Sequence, residues 1–203
     1  MTLRVAVFAS GGGTNFQALL DHRRPGGSWE IVLLLTDRGE TGALRKAERA
    51  GVPAVLVPTK GRDLAQVGDE MLGILEAHAV DVILLAGYLK LVPPAVVTRY
   101  AGRILNIHPA LLPAYGGKGM YGMNVHRAVI EAGETESGAT VHLVDEVYDR
   151  GRILAQRRVP VHAGDSPEDL AARVLEVEHR LYPEAVDHFC DALAGGSEPG
   201  PMT

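Results

Sequence analysis

Three polar residues, Asn106, His108 and Asp149, have the types and spacing for acid–base chemistry at a carbonyl group. Asn106 and His108 are two residues apart at the end of an apolar run, and side chains two apart on a strand point to the same side. An imidazole exchanges protons near neutral pH, an amide N–H stabilises a developing oxyanion, and a nearby carboxylate raises the pKa of the imidazole. Because this set contains no serine or cysteine nucleophile, we expect one substrate to attack the carbonyl of another directly.

A glycine-rich loop near the N-terminus is a second candidate site. The apolar run at residues 3–9 ends at residues 10–15, Ser-Gly-Gly-Gly-Thr-Asn, and a helical pattern follows. Glycines let backbone N–H groups approach an anion, and a helix N-terminus carries positive partial charge. The side chains of Thr14 and Asn15 can bond phosphate or cap the helix. We expect a phosphate here, although a tight turn without a ligand has the same pattern and the spacing is not the dinucleotide fingerprint.

Hydrophobic patterning predicts the elements that position these residues. Five apolar strands alternate with helices, at residues 3–9, 30–36, 54–57, 81–87 and the run leading into residue 106. This alternation is typical of a parallel sheet, in which ligands bind at the carboxyl edge. Two later strands, residues 140–144 and 153–161, follow each other without a helix and should pair antiparallel. The predicted fold is α/β, a Rossmann-like, mostly parallel sheet flanked by helices, with antiparallel strands added in the C-terminal half.

Length and composition predict a single domain. The 203 residues are 46% hydrophobic, and no linker of biased composition divides them, so one substantial core can form. We expect one domain over residues 1–192 and a disordered tail over residues 193–203. The last helix should begin with Ser166 as its N-cap and Pro167 in its first turn.

Charge, cysteine content and hydropathy argue against several classes of function. A net charge of −5 does not favour nucleic-acid binding by bulk charge. The single cysteine, Cys190, can form no intrachain disulfide and fits a packed thiol in a reducing compartment. The start of the chain does not resemble a signal peptide, and no apolar run approaches membrane-spanning length. We therefore expect a cytoplasmic protein without a membrane partner, as a monomer or a homodimer.

Other residues near these motifs have less specific patterns. Arg62, in a polar loop, fits a solvated arginine, and His142, inside a predicted strand, fits a structural histidine. Residues 114–123 contain four glycines and two tyrosines without a regular period, which indicates a mobile loop beside the site. The pattern assigns no role to Lys118.

Residues 106–113, Asn-Ile-His-Pro-Ala-Leu-Leu-Pro, together with Asp149-Arg150-Gly151, resemble the motifs of the folate-dependent formyltransferases. The similarity runs from residue 3 to about residue 190. It includes the glycine loop, the segment Leu-Ala-Gly-Tyr-Leu-Lys at residues 85–90 and a late segment around Glu178. Together these motifs are specific, whereas the glycine loop alone is a weak signal.

The resemblance implies transfer of a formyl group from 10-formyltetrahydrofolate to the amine of 5'-phosphoribosylglycinamide, in purine biosynthesis. It assigns the ribonucleotide phosphate to Gly13, Thr14 and Asn15, and the glycinamide amine to Glu178. The residues that it assigns to the folate, with the backbone of residues 145–149, are Arg62, Leu89, Lys90, Leu91, Val92, Asn106 and Asp145.

The resemblance also implies a mechanism. The amine attacks the formyl carbon while Asn106 and a protonated His108 stabilise the oxyanion. Asp149 keeps the imidazole charged, and His108 then assists proton delivery to the departing folate nitrogen. No metal is expected, because the imidazolium supplies the positive charge.

Three other functions share part of this pattern. Methionyl-tRNA formyltransferase has the Asn-x-His and Asp motifs, but we would expect a further C-terminal domain and a basic surface for tRNA. Formyltetrahydrofolate hydrolase carries an extra N-terminal regulatory domain, whereas the first strand is predicted here from Leu3. A non-catalytic nucleotide-binding module would use only the loop at residues 11–15, and the intact catalytic set argues against it.

Overall fold

The structure, a computed structural model, describes residues 2–23, 26–147 and 149–202, and its strands form a single sheet. Residues 1 and 203, the ends of the predicted domain and tail, lie outside this description. The strands in chain order are β1 (Leu3–Phe8), β2 (Trp29–Thr36), β3 (Ala54–Leu56), β4 (Val82–Leu85), β5 (Ile104–His108), β6 (Glu136–Leu143) and β7 (Ile153–Pro160).

The sheet confirms the predicted fold class. Its order is β3-β2-β1-β4-β5-β6-β7. The first five strands pair parallel, and β6 and β7 extend the sheet antiparallel. Since β1 lies between β2 and β4, the strand order reverses at the β1–β4 boundary, where open α/β sheets form a crevice at their carboxyl edge.

Helices cover both faces of the sheet. They are α1 (Thr14–His22), α2 (Gly42–Ala50), α3 (Leu64–Ala77), α4 (Pro94–Arg99), α5 (Met123–Glu131) and α6 (Pro167–Ala194). One core joins side chains of α1, α2 and α6 to one face, and the other joins α3 and α4 to the opposite face. Both faces are apolar, which explains why the central strands are continuous apolar runs.

The long helix α6 begins as predicted and is anchored to the site edge of the sheet. Ser166 Oγ accepts a hydrogen bond from the Asp169 N–H at 3.1 Å, with Pro167 in the first turn. One turn beyond Glu178, the buried Tyr182 hydroxyl contacts the carbonyl oxygens of Leu85 and Leu105 at 3.0 and 3.1 Å. These contacts tie the middle of α6 to the ends of β4 and β5.

The end of the chain lies against β7. Helix α6 continues to Ala194, past the predicted domain boundary at residue 192. The Met202 N–H donates to the Leu154 carbonyl at 2.7 Å, and Arg152 donates to the Pro199 carbonyl at 2.7 Å. The disorder of the tail in solution stays a prediction. Within the described residues, no helix combines the length and apolarity that crossing a membrane requires.

Candidate active site

A cleft of about 550 Å³ opens at the carboxyl edge of the sheet. Its walls are the start of α1, the segments that follow β4 and β5, the loop after β6, and α6. This is the edge at which the sequence predicted substrate binding. The volume is within the usual range for small-molecule sites.

Pairing between β5 and β6 brings an amide and two imidazoles to one wall of this cleft. Asn106 and His108 project from β5 to the same side, and His142 lies directly opposite Asn106 on β6. His142 Nδ1 is 2.8 Å from the Leu143 carbonyl, so Nδ1 carries the proton. Nε2 is then an acceptor, 3.1 Å from Asn106 Nδ2. Asn106 is thereby fixed in orientation, with its second amide hydrogen left for the cleft.

His108 is buried with its two nitrogens in different environments. Nε2 donates to the Tyr115 carbonyl at 2.8 Å, so in the neutral ring Nδ1 carries the lone pair. Nδ1 lies 3.8 Å from Asp149 Oδ2. Burial lowers the pKa of His108, and this outweighs the Asp149 charge and the Tyr115 carbonyl, which raise it.

The direction of this pKa shift differs from the sequence-based expectation of a protonated His108. The expectation counted the neighbouring carboxylate but not the burial of the ring, which disfavours the charged form. Burial therefore favours the neutral form of His108, in which the Nδ1 lone pair lies near Asp149.

Asp149 lies in the loop after β6 and contacts the glycine-rich segment. Its φ of 53° is left-handed, a conformation that aspartate tolerates better than most residues. Oδ2 accepts the Gly117 N–H at 2.8 Å, and Oδ1 lies 3.5 Å from His142 Nε2. Burial raises the pKa of Asp149, but the contacts with His142 and Gly117 and the His108 charge lower it below its usual value. Asp149 is therefore a carboxylate at neutral pH, and it faces both imidazoles.

A buried amide–carboxyl pair forms another part of the cleft wall. Asn15, in the first turn of α1, donates to Glu178 Oε2 of α6 at 3.0 Å. Burial raises the pKa of Glu178 to about 7, against the opposing effect of the Asn15 hydrogen bond. Asn15 Oδ1 is buried without a hydrogen-bond partner. The pair can exchange a proton with a ligand near neutral pH and still accept a hydrogen bond.

The other two residues of the predicted phosphate loop lie differently from Asn15. Gly13 precedes α1 with a φ of 69°, and a Cβ there would lie 2.8 Å from the Ala43 backbone, so only glycine fits. Thr14 lines a second cavity of about 500 Å³ with Lys46 and His179. The structure thus brings Asn15 into the main cleft and Thr14 to its own cavity beside α1.

The segment after β4 forms an apolar wall of the cleft. Leu89 and Leu91 are 46% and 43% exposed, and Lys90 and Val92 also line the cleft. Asp145 faces them from the loop after β6. Half-exposed leucines inside a cleft indicate a site for a flat apolar ligand. Tyr148, within the predicted backbone segment 145–149, lies outside the described residues.

Arg62, like Gly13, lines neither cavity. Its guanidinium pairs with Glu70 at 2.7 Å and donates to the Pro58 carbonyl at 3.1 Å. The predicted contact between Arg62 and the folate stays a prediction.

The residue-by-residue interpretation missed one cleft residue, and the loop that it predicted beside the site forms a further part of the wall. His142 was interpreted as structural, and only the β5–β6 register shows that it adjoins Asn106. The glycine-rich residues 117–123, with Lys118, also line the cleft. The contact between Gly117 and Asp149 fixes the start of this segment beside Asp149.

Known proteins resemble this chain in sequence and in fold. A family model described as formyl transferase matches residues 3–186. A phosphoribosylglycinamide formyltransferase of Arabidopsis thaliana chloroplasts is 46% identical, with 97% of this chain and 68% of the relative covered. The Escherichia coli phosphoribosylglycinamide formyltransferase is 35% identical, with 93% and 88% covered. The crystal structure of the Brucella melitensis phosphoribosylglycinamide formyltransferase is 44% identical, with 94% and 96% covered and a TM-score of 0.85. The chain belongs to the formyl transferase family.

Proposed function

We propose that the protein transfers a formyl group from 10-formyltetrahydrofolate to the amine of 5'-phosphoribosylglycinamide, in purine biosynthesis. A bond forms between the amine nitrogen and the formyl carbon, and the bond from that carbon to folate N10 breaks. The proton lost by the amine ends on N10. The observation that carries the proposal is the cluster of Asn106, His108 and Asp149 beside the Asn15–Glu178 pair in one cleft.

The neutral His108 ring suggests how the proton moves. Its free lone pair can accept the proton from the attacking amine, and the resulting imidazolium is stabilised by Asp149, 3.8 Å away. The same imidazolium then donates to the departing nitrogen. His108 therefore acts first as a base and then as an acid, and the protonated form exists only during the reaction.

Asn106 would stabilise the oxyanion. One amide hydrogen contacts His142 Nε2 at 3.1 Å, which holds the group in place, and the second is free for the formyl oxygen. A donor held in place before the reaction stabilises developing charge without reorganising.

The two sides of the cleft suit the two substrates. Glu178 is buried with a pKa of about 7 and can accept a hydrogen bond from the glycinamide amine, while Gly13, Thr14 and Asn15 would hold the phosphate. Leu89, Lys90, Leu91 and Val92 would cover the pterin, with Asp145 and Asn106 as polar contacts. The half-exposed leucines support this assignment, because a bound aromatic ring would remove their side chains from water.

Other properties belong to the same proposal. We infer a single catalytic domain over residues 1–192, a cytoplasmic location, a monomer or homodimer, and no nucleic-acid or membrane partner. We also infer that the reaction needs no metal, because the imidazolium supplies the positive charge.

The test is an absorbance assay for tetrahydrofolate formation with four acceptors: phosphoribosylglycinamide, methionyl-tRNA, water alone and glycine. We expect turnover only with phosphoribosylglycinamide, and the same rate after dialysis against EDTA. Turnover with water alone would indicate a hydrolase and would contradict the proposal. Turnover with methionyl-tRNA alone would contradict it equally, and loss of activity in EDTA would overturn the inference that no metal is needed.

A further inference from the structure

His126 is a buried imidazole that the proposed mechanism does not use. It lies in the first half of α5, is 5% exposed, and lines the cleft. A buried polar side chain in a substrate cleft needs a partner, because an unpaired donor costs about 1 to 3 kcal/mol.

The two ring nitrogens of His126 differ in a way that fixes the tautomer. Nδ1 is buried without a hydrogen-bond partner. A buried N–H without an acceptor is rarer in proteins than an under-used acceptor, so the proton belongs on Nε2. Burial is the larger cause of the lowered pKa of His126, with the His108 charge second. The side chain is therefore a neutral ring with an N–H at Nε2.

The position of His126 indicates which substrate it meets. Helix α5 packs against α6, which carries Glu178. The leucines after β4 belong to the wall assigned to the pterin. His126 and Glu178 line the same cleft, and we assign His126 to the side that holds the ribonucleotide. A neutral N–H suits an uncharged oxygen of that ligand better than its phosphate, for which a charged donor would be the stronger partner.

We propose that His126 binds the ribonucleotide by donating its Nε2 hydrogen to an uncharged oxygen of the ribose or glycinamide. This assignment rests on the proposed function. His126 is then a binding residue that helps to select the acceptor substrate, and it takes no proton during the reaction. The bond would give the Nε2 donor a partner, while Nδ1 stays a buried acceptor without one.

Three substitutions at one position test the proposal. His126→Gln keeps an N–H close to the Nε2 position, His126→Asn places it near Nδ1, and His126→Leu removes it. A neutral hydrogen bond is worth roughly threefold to tenfold in binding. We expect the Leu and Asn variants to raise KM for phosphoribosylglycinamide by roughly that factor, with KM for the folate unchanged. The Gln variant should stay within about twofold of the wild type.

The controls separate binding from folding and from acid–base chemistry. The exposed His162→Gln should leave every constant unchanged, and calorimetric titration of each variant with phosphoribosylglycinamide measures binding without turnover. Because the ring stays neutral, the pH profile of kcat/KM should be the same in the Gln variant and in the wild type. An unchanged KM in the Leu variant, with normal turnover of the wild type, would overturn the proposal while leaving the proposed function intact. An equal loss in the Leu and Gln variants with a lower melting temperature would also overturn it, because the role would then be structural.

Discussion

Replacing Asp149 by asparagine tests whether the negative charge of Asp149 supports proton transfer by His108. Asparagine keeps the shape, keeps an oxygen for the Gly117 N–H, and tolerates the φ of 53°. The change removes only the negative charge 3.8 Å from His108 Nδ1. Any loss of turnover can then be assigned to that charge and not to misfolding.

The distance between His108 Nδ1 and Asp149 sets the size of the expected loss of turnover. Two unit charges at this separation interact by about 4 kcal/mol at an effective dielectric constant of about 20. Both side chains are largely buried, at 4% and 12% exposure, so solvent reduces the interaction only partly. Since about 1.4 kcal/mol corresponds to tenfold in rate, we expect kcat to fall between about a hundredfold and a thousandfold.

The pH profile gives a second, independent readout. The Asp149 charge raises the pKa of His108, so its removal lowers that pKa. Because the base must be neutral to accept a proton, the acid limb of kcat/KM should move to lower pH in the variant. The ionised form of Asp149 also stabilises the fold above about pH 4, since its folded pKa is lowered. The variant should therefore be modestly less stable at pH 7.

Steady-state kinetics between pH 5 and 9 and thermal melting measure these effects. Asp165→Asn is the matched control, because it removes a carboxylate that pairs with Arg173 outside the cleft, and it should leave kcat unchanged. A kcat within tenfold of the wild type, with the acid limb in place, would refute the role assigned to Asp149.

Three further groups of substitutions follow from the same geometry. Asn106→Ala removes the oxyanion donor and should lower kcat about a hundredfold or more. His142→Phe removes the acceptor that orients Asn106, together with a contact to Asp149, so we expect about a tenfold loss and a smaller loss when it is combined with Asn106→Ala; fully additive losses would contradict the contact between Asn106 and His142. Glu178→Gln removes a carboxyl group whose pKa rises from 4.5 to about 7 on folding. Such a group lowers stability as pH rises between these values, so the variant should be more stable than the wild type above pH 7, by up to about 3 kcal/mol, and equal to it at pH 4 by urea denaturation. Gly13→Ala should cost more than about 1 kcal/mol in the same assay, whereas Gly11→Ala, with open space around it, should change stability by less than about 0.5 kcal/mol; equal effects would contradict the requirement for glycine at residue 13.

Hydrophobic runs were sufficient to predict the sheet. The apolar run at residues 81–87 corresponds to β4 at the centre of the sheet, because a strand covered on both faces has no polar side. The antiparallel pairing of β6 and β7 was also predicted correctly, since consecutive strands without a crossover helix can pair only that way. Element boundaries differ by a few residues, as at β6, which begins at Glu136 instead of residue 140.

The electrostatics of the site could not be predicted in the same way. Sequence order does not give the β5–β6 register, so it could not show that His142 contacts Asn106. Nor does it give burial, which decides the direction of the His108 pKa shift against the nearby charge of Asp149. Arg62 shows that a family resemblance does not give the contacts of a side chain either. The resemblance implies a ligand contact, whereas the structure pairs Arg62 with Glu70.

The last residues of the chain contact the edge strand β7 and so affect whether that edge can pair with a strand of another molecule. Strand β7 is at the edge of the sheet, and such an edge offers free backbone groups on which a strand of another chain can assemble. Here the Met202 N–H occupies the Leu154 carbonyl, and Arg152 holds Pro199 nearby. The end of the chain thus covers part of this edge, near Leu154. A version shortened to residue 192 would keep the whole catalytic cleft but lose this cover, and would be prone to self-association through β7.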